Sequence, residues 1–132
     1  MTEIFFNTDF INLSIQDGIL VVIYKKGPIT LDIAKELVNV RLDFCKGKSY
    51  PSLVCDEGIG LNGVDREARE FMGEGRATEG LLAAAFYTKS TFNKYLVKFF
   101  LKISNKTTHF PTKIFSNKKL AINWLENFVE KK

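Results

Sequence analysis

Cysteine and long apolar runs are both scarce in this sequence, and their scarcity excludes several classes of protein. Two cysteines in 132 residues are too few for a disulfide framework, so we expect both to be reduced thiols. The apolar stretch from Tyr95 to Ile103 is interrupted by Lys98 and Lys102, which excludes a transmembrane helix there. The first residues lack the basic start and apolar core of a signal peptide, so we expect a cytoplasmic protein.

Glycine and proline are also few, at 9 and 3 residues, which excludes collagen-like and low-complexity chains. Hydrophobic residues make up 45% of the chain and charged residues 26%, the balance of an ordinary globular protein and not of a disordered one. The length suits a single domain, which we expect to span residues 1–132.

The net charge of +4 is unevenly distributed. Residues 1–80 contain 9 basic and 13 acidic side chains, whereas residues 81–132 contain 10 lysines and 2 acidic side chains. Such asymmetry is typical of chains that contact nucleic acid, an anionic membrane or an acidic protein. Readers of bases and phosphates favour arginine forks, so the lysine bias makes nucleic acid an unlikely partner. A solvated surface that keeps the protein soluble explains the charge equally well.

Hydrophobic periodicity predicts alternating strands and helices. Strands at Phe10–Gln16 and Ile19–Tyr24 flank an Asp17-Gly18 turn, and an amphipathic helix covers Leu31–Lys46 after the capping residue Thr30. The other predicted elements are a strand at Pro51–Cys55, a helix at Arg66–Met72, a strand at Leu81–Tyr87, a helix at Phe92–Ser104 and a strand at Pro111–Phe115. A last helix follows Asn117, with apolar positions Leu120, Ala121, Trp124, Leu125 and Phe128.

This order predicts an α/β fold with an N-terminal β-hairpin followed by alternating helices and strands. Consecutive strand–helix–strand units make parallel pairs with right-handed crossovers. We therefore expect a mixed, mostly parallel sheet of about five strands with about four helices.

The C-terminal segment carries a recognisable motif. It reads Phe110-Pro-Thr-Lys-Ile-Phe-Ser-Asn-Lys-Lys-Leu-Ala-Ile-Asn-Trp-Leu, which resembles the "P-x-[KR]-x-F-x-x-x-x-x-A-x-x-W-L" ending of SpoIIAA-like STAS domains. Residues 27–41, the strand entry at Tyr50-Pro51 and residues 65–71 resemble a bacterial branch of that superfamily, related to the anti-sigma-factor antagonists. The resemblance implies a SpoIIAA-like fold. It also implies a non-enzymatic binding or regulatory module that acts through protein–protein contacts.

In the phosphorylatable antagonists of that superfamily, two serines open the helix after the third strand, and the second accepts phosphate. The matching stretch here is Val64–Ala68, with Arg66 and Glu67 at the serine positions. The resemblance therefore implies that the phosphoacceptor is absent. Glu67 supplies negative charge where a helix N-terminus favours it, and Asp65 and Glu67 could serve only to stabilise the helix start.

The sequence offers no catalytic constellation. His109 is the only histidine and has no nucleophile motif around it, while Cys45 and Cys55 lack the spacing of a metal site and suit a core. Three carboxylates could serve acid–base chemistry or bind a cation: Asp56, Glu57 and Asp65. A solvated loop is the simpler interpretation of these residues. We predict no catalytic residue, metal or cofactor.

The predicted helix at Phe92–Ser104 has an informative surface pattern. Beside its aromatic core face lies a candidate interaction face of lysines and two spare apolar residues: Lys94, Val97, Lys98, Leu101 and Lys102. Such a face suits another protein, a second copy of the chain in a weak homodimer, or an anionic membrane surface. A solvated face whose lysine stems cover apolar area explains the pattern as well.

A carrier or sensor of a small apolar ligand or lipid is the alternative function, because similar folds include CRAL-TRIO lipid-transfer domains. Twelve phenylalanines and the small-residue strand around Ala83–Ala85 could line a cavity for such a ligand. An ordinary packed core explains the same residues.

Overall fold

The structure, a computed structural model, describes residues 4–7, 10–25, 28–56, 65–72, 78–88 and 110–129. These residues contain six strands: β1 (Ile4–Asn7), β2 (Ile11–Gln16), β3 (Ile19–Tyr24), β4 (Tyr50–Asp56), β5 (Leu81–Tyr87) and β6 (Thr112–Phe115). They also contain three α-helices and a 3₁₀ turn: α1 (Leu31–Cys45), α2 (Arg66–Met72), α3 (Lys118–Leu125) and the turn Glu126–Phe128.

All six strands form one sheet, in which the spatial order from β1 to β6 is the order along the chain. The two pairs among β1, β2 and β3 are antiparallel, and the three pairs from β3 to β6 are parallel. The predicted α/β class with a mixed, mostly parallel sheet is confirmed. The sheet has one strand more than predicted, because β1 pairs with β2 ahead of the expected hairpin.

The β2–β3 hairpin turns at the predicted pair. Asp17 has φ 53° and Gly18 has φ 82°, two left-handed conformations in succession, as a two-residue turn that matches strand twist requires. A Cβ atom at Gly18 would lie 2.7 Å from Cγ1 of Val129. The turn thus packs closely against the end of the described chain, and glycine leaves room for that contact.

Helix α1 begins and ends where its local signals predict. The Thr30 hydroxyl oxygen accepts a hydrogen bond from the Ile33 backbone N–H at 3.3 Å, and the helix closes on Lys46 in the left-handed conformation. Its last helical residue is Cys45, one residue before the predicted end. The buried side of α1 carries Ala34, Leu37, Val38, Arg41 and Cys45.

The core lies on both faces of the sheet. On what we call the α1 face, strand side chains such as Leu13 and Leu20 pack with residues of α1 and α2. On the opposite α3 face, strand side chains such as Leu53 pack against Ala121 and Leu125. The apolar run of β3 alternates between the two faces, which explains why it is hydrophobic throughout.

Small side chains on β5 let α3 approach the sheet closely. Ala83, Ala85, Ala121 and Leu125 all have 0% exposure and belong to the core cluster of the α3 face. The structure therefore packs Ala83 and Ala85 beneath a helix.

Both cysteines are core side chains, as predicted. Cys45 packs on the α1 face and Cys55 on the α3 face, and both are free and buried. The sheet lies between the two thiols.

None of the described helices is long and apolar enough to cross a membrane. The predicted helix at Phe92–Ser104 lies outside the described residues.

Candidate functional sites

The positions matched to the phosphorylated serines lie at the start of α2. Arg66 and Glu67 are its first two residues, and both are exposed. The Asp65 N–H donates a hydrogen bond to the Ile29 carbonyl at 2.9 Å, which ties the helix start to the segment before α1. Arg66 Nε lies 3.2 Å from Glu70 Oε1, an ion pair across one helical turn. Because of β1, this helix follows the fourth strand of the sheet and not the third.

The chemistry available at the α2 start is that of fixed charges. Residues 58–68 contain no serine, threonine or tyrosine, so nothing there can accept a phosphate ester. Arg66 and Glu70 side chains are 85% and 57% exposed, and an ion pair so exposed adds less than about 1 kcal/mol to stability. The start of α2 is therefore an exposed surface of charged residues without a phosphoacceptor hydroxyl.

A second group of polar residues surrounds Arg41 inside the protein. Arg41 lies on the buried side of α1 with 8% exposure, and its Nη1 donates a hydrogen bond to the Glu79 carbonyl oxygen at 2.9 Å. Helical spacing places Arg41 on the same side of α1 as Leu37 and Cys45, although our sequence predictions did not include it as a functional residue. A charged residue within an apolar stripe is the signal that could have found it.

Burial dominates the electrostatics around Arg41. It lowers the pKa of the Arg41 guanidinium, while the neighbouring Cys45, Tyr24 and Glu79 oppose that shift. Burial also raises the pKa of Tyr24 to about 12 and raises that of the Cys45 thiol, in both cases against the opposing charge of Arg41. Tyr24 and Cys45 are thus neutral near pH 7, and the group ties α1 to the residues before β5 without a proton donor or acceptor active at that pH.

A third candidate is the surface formed by β6 and the first two turns of α3. We call it the β6–α3 surface and define it by Lys113, Lys118, Lys119, Leu120 and Trp124. Leu120 is 57% exposed, the most exposed large hydrophobic side chain in the described part of the chain. The sequence placed Leu120 on the apolar side of α3, but the sheet covers Ala121 and Leu125 instead.

Aromatic contacts hold the centre of this surface. The Trp124 ring lies 5.8 Å from the Phe115 ring of β6 and 5.0 Å from the Phe128 ring, between centroids. Lys113 Nζ lies 5.7 Å from the centroid of Trp124, within range of a cation–π interaction. Leu120 is one turn before Trp124, so both residues lie on the side of α3 that borders β6.

Positive charge is concentrated where α3 begins. The Asn117 Oδ1 caps the helix by accepting from the Leu120 N–H at 3.1 Å. Its first turn carries Lys118 and Lys119 and no acidic residue. The helix dipole is positive at that end, so the lysines add to it. Sequence reasoning passed over this site, although two lysines directly after an N-cap were a visible signal.

Most of the remaining sequence-predicted residues lie outside the described residues. These include His109 and Glu57. They also include the whole predicted interaction face, which consists of Lys94, Val97, Lys98, Leu101 and Lys102. Asp56 is the last residue of β4, and Asp65 is exposed before α2. Within the described ranges, no group of three or more His, Cys, Asp or Glu side chains could hold a metal ion.

This arrangement of strands and helices is a SpoIIAA-like fold. The chain is similar to a solved structure described as an uncharacterized protein of the DUF3478 family with a SpoIIAA-like fold, from Shewanella loihica PV-4. The TM-score is 0.61 at 15% identity, over 95% of this chain and 98% of that one. The expected SpoIIAA-like fold is confirmed.

The chain belongs to the family described as "Domain of unknown function (DUF7793)", whose model matches residues 13–129. It is also similar to a protein of unknown function from Arthrobacter sp. FB24, at 28% identity over 86% of this chain and 97% of that one, with a TM-score of 0.32. No curated protein matches the chain.

Proposed function

We propose that this protein is a non-enzymatic binding or regulatory module of STAS type, which acts through protein–protein contacts and has no phosphorylation switch at the start of α2. The observation that carries the proposal is the β6–α3 surface. There, an exposed Leu120 lies beside exposed lysines on a helix whose Ala121 and Leu125 are buried and whose Ile122 and Trp124 are partly buried. An exposed apolar side chain within a charged border is typical of a contact surface.

The packing of β5 favours a contact surface over a carrier function. Ala83 and Ala85, which could have lined a ligand cavity, are in contact with the core residues of α3. Where side chains already fill the space between a helix and a sheet, no room is left there for a ligand. The alternatives, transport of an apolar ligand and attachment to an anionic membrane, are therefore outcomes that the experiments below must distinguish.

Fixed charges at the α2 start support constitutive binding. Arg66 and Glu67 have no hydroxyl group that could accept a phosphate ester, and Arg66 is paired with Glu70. We expect phosphatase treatment to leave any complex of the protein intact. Release of the partner by phosphatase, with phosphate located on this chain, would contradict that part of the proposal.

Native mass spectrometry of the protein purified from its own host tests the main proposal. We expect a complex with a protein, or a dimer, that is lost in the Leu120→Asp variant. Leu120 is exposed, so this change should leave the circular dichroism spectrum unaltered.

The control is Lys35→Glu, which reverses an exposed charge on α1, far in sequence from the β6–α3 surface. This variant should keep the complex. A lipid retained in stoichiometric amount would instead establish the carrier, and binding of phosphatidylglycerol vesicles without any protein complex would establish a membrane-attached domain. Either result would overturn the proposed function.

A further inference from the structure

We propose that β6 accepts an extended, acidic segment of a partner protein as an additional strand of the sheet. The inference rests on the proposed function, because it names the partner chemistry and the binding mode of the β6–α3 surface. Its grounds are the direction of the backbone groups of β6, the charge around them and the exposed side chain next to them.

In the described part of the chain, the backbone of β6 is paired along one side only. Within the described residues, β5 is the only strand that pairs with it. The carbonyl oxygens of Pro111 and Phe115 face β5: they accept hydrogen bonds from the Ala84 N–H of β5 at 3.0 Å and from the N–H of Thr88, the residue after β5, at 3.1 Å. Because backbone groups alternate in direction along a strand, those of Thr112 and Ile114 point to the outer side.

The charge along this edge selects the occupant. Lys113 is exposed between Thr112 and Ile114, and Lys118 and Lys119 are exposed just beyond the end of the strand. Among the described residues, none forms an ion pair with these three lysines. Carboxylates on an added strand would meet this positive charge, and apolar side chains would meet Leu120.

The two lysines of α3 stand where they weaken their own helix. A cation in the first turn opposes the helix dipole, and a sequence optimised for stability alone would carry acidic residues there. An acidic partner would remove that conflict by placing carboxylates against the helix start. The placement of Lys118 and Lys119 therefore favours a bound anionic segment over an unoccupied surface.

A second copy of this chain fits the edge poorly. Two β6 strands related by two-fold symmetry would pair antiparallel, and the register that pairs Thr112 of each with Ile114 of the other would bring the two Lys113 side chains opposite each other. Like charges at directly opposite positions destabilise a strand pair, and edge lysines are a common defence against such pairing. The charge thus selects a partner with acidic residues.

Amide chemical-shift mapping with a capped peptide of alternating Glu and Val tests the proposal, because this peptide is both extended and acidic. We expect the largest shifts at the amides of Thr112 and Ile114, with smaller ones at Leu120, and an affinity that falls as salt rises. The counterpart of alternating Lys and Val should not bind. Lys113→Glu should weaken binding about tenfold or more, while Lys35→Glu should leave it unchanged.

Lys118→Glu separates a binding role from a structural one. This substitution should weaken binding of the Glu-Val peptide. At the same time it should raise the melting temperature of the protein, because the new carboxylate stabilises the helix start. A structural lysine would show the opposite change in melting temperature.

Three results would overturn the inference: no shift at millimolar peptide, shifts confined to other surfaces, or phosphatidylglycerol vesicles perturbing β6 where the peptide does not. Peptide binding at another surface would leave the proposed protein-binding function standing. Retention of a lipid in stoichiometric amount would contradict both the proposed function and this inference.

Discussion

At the scale of single residues, Arg41 shows what one charged side chain can do inside a core. Its guanidinium reaches from α1 to the Glu79 carbonyl, so it joins two segments that lie far apart in the chain. A buried charge stabilises a fold only when its hydrogen bonds are made, and removal of one partner is then costly. Arg41 therefore acts as an internal tie between α1 and the residues before β5.

Replacement of this tie should destabilise the protein clearly. We expect Arg41→Ala to lower the free energy of unfolding by about 2–4 kcal/mol, through the lost hydrogen bond and the lost packing of a residue that is 8% exposed. Urea denaturation measures this change. Lys35→Ala, on the exposed side of α1, should change stability by less than about 0.5 kcal/mol. Equal effects of the two substitutions would show that the Arg41 contact contributes nothing.

From the raised pKa of the Tyr24 phenol, we predict a specific loss of stability at alkaline pH. Burial raises its pKa to about 12, whereas an exposed tyrosine in the unfolded chain titrates near about 10. The unfolded state therefore releases this proton first, so the contribution of Tyr24 is complete below about pH 10 and is lost as the pH rises from about 10 to 12. The expected decrease over that range is about 1–3 kcal/mol.

The Tyr24→Phe variant isolates this contribution. Denaturation of both proteins at a series of alkaline pH values should show a shallower decline for the variant. The raised pKa of Cys45 acts in the same direction in both proteins, so it cancels from the difference. Parallel declines would mean that the phenol is not protected from ionisation by the fold.

At the scale of elements, the sequence predicted those whose signals are local. Helix α1 has its capping Thr30, α3 has its capping Asn117, and the hairpin has Asp17-Gly18, and all three formed as expected. Strand β1 was missed because its four residues carry no turn signal and no alternating pattern of their own. Such a strand is defined by its partner β2, which only tertiary structure reveals.

The candidate sites were less predictable than the elements for a related reason. The sequence identifies Leu120 and Trp124 as apolar positions of α3, but it does not fix the rotation of the helix on the sheet. Ala121 and Leu125 pack against the small residues of β5, and this packing fixes the rotation of the helix. As a consequence, Leu120 is exposed. A contact surface made of two elements arises only from their packing.

Two glycines with nearly the same backbone conformation allow a matched test of the contact between the hairpin and Val129. Gly18 has φ 82° and Gly47 has φ 78°, but a Cβ atom at Gly18 would meet Val129 at 2.7 Å, whereas at Gly47 it would meet nothing within 4 Å. Gly47→Ala should therefore cost only the backbone strain of about 1–2 kcal/mol. Gly18→Ala should cost about 1–3 kcal/mol more, through overpacking.

Thermal denaturation of the two variants measures the difference. The double variant Gly18→Ala with Val129→Ala should recover most of the additional loss, because it removes the obstructing methyl groups. Equal losses in the two single variants would show that the hairpin turn and Val129 are not in contact in solution.

At the scale of the whole molecule, the packing between β5 and α3 offers a test that distinguishes a packed module from a carrier. Ala85 lies between the sheet and α3 with 0% exposure, so a larger side chain there has no free space. We expect Ala85→Leu to lower the free energy of unfolding by about 1–3 kcal/mol through overpacking. Lys35→Leu, which adds the same side chain at an exposed position, should have little effect. An Ala85→Leu variant as stable as the wild type would reveal a cavity and favour the carrier.

The sheet order has a consequence for how the protein is made. Since each described strand from β2 to β6 pairs with the one synthesised just before it, this part of the sheet can grow strand by strand as the chain leaves the ribosome, and none of the six described strands has to wait for a distant partner. Closure is different, because α3 and Val129 lie over strands and a turn that were made long before. A nascent chain would therefore expose the apolar α3 face until residues 118–129 have been synthesised, and chaperone protection should be needed most during that interval.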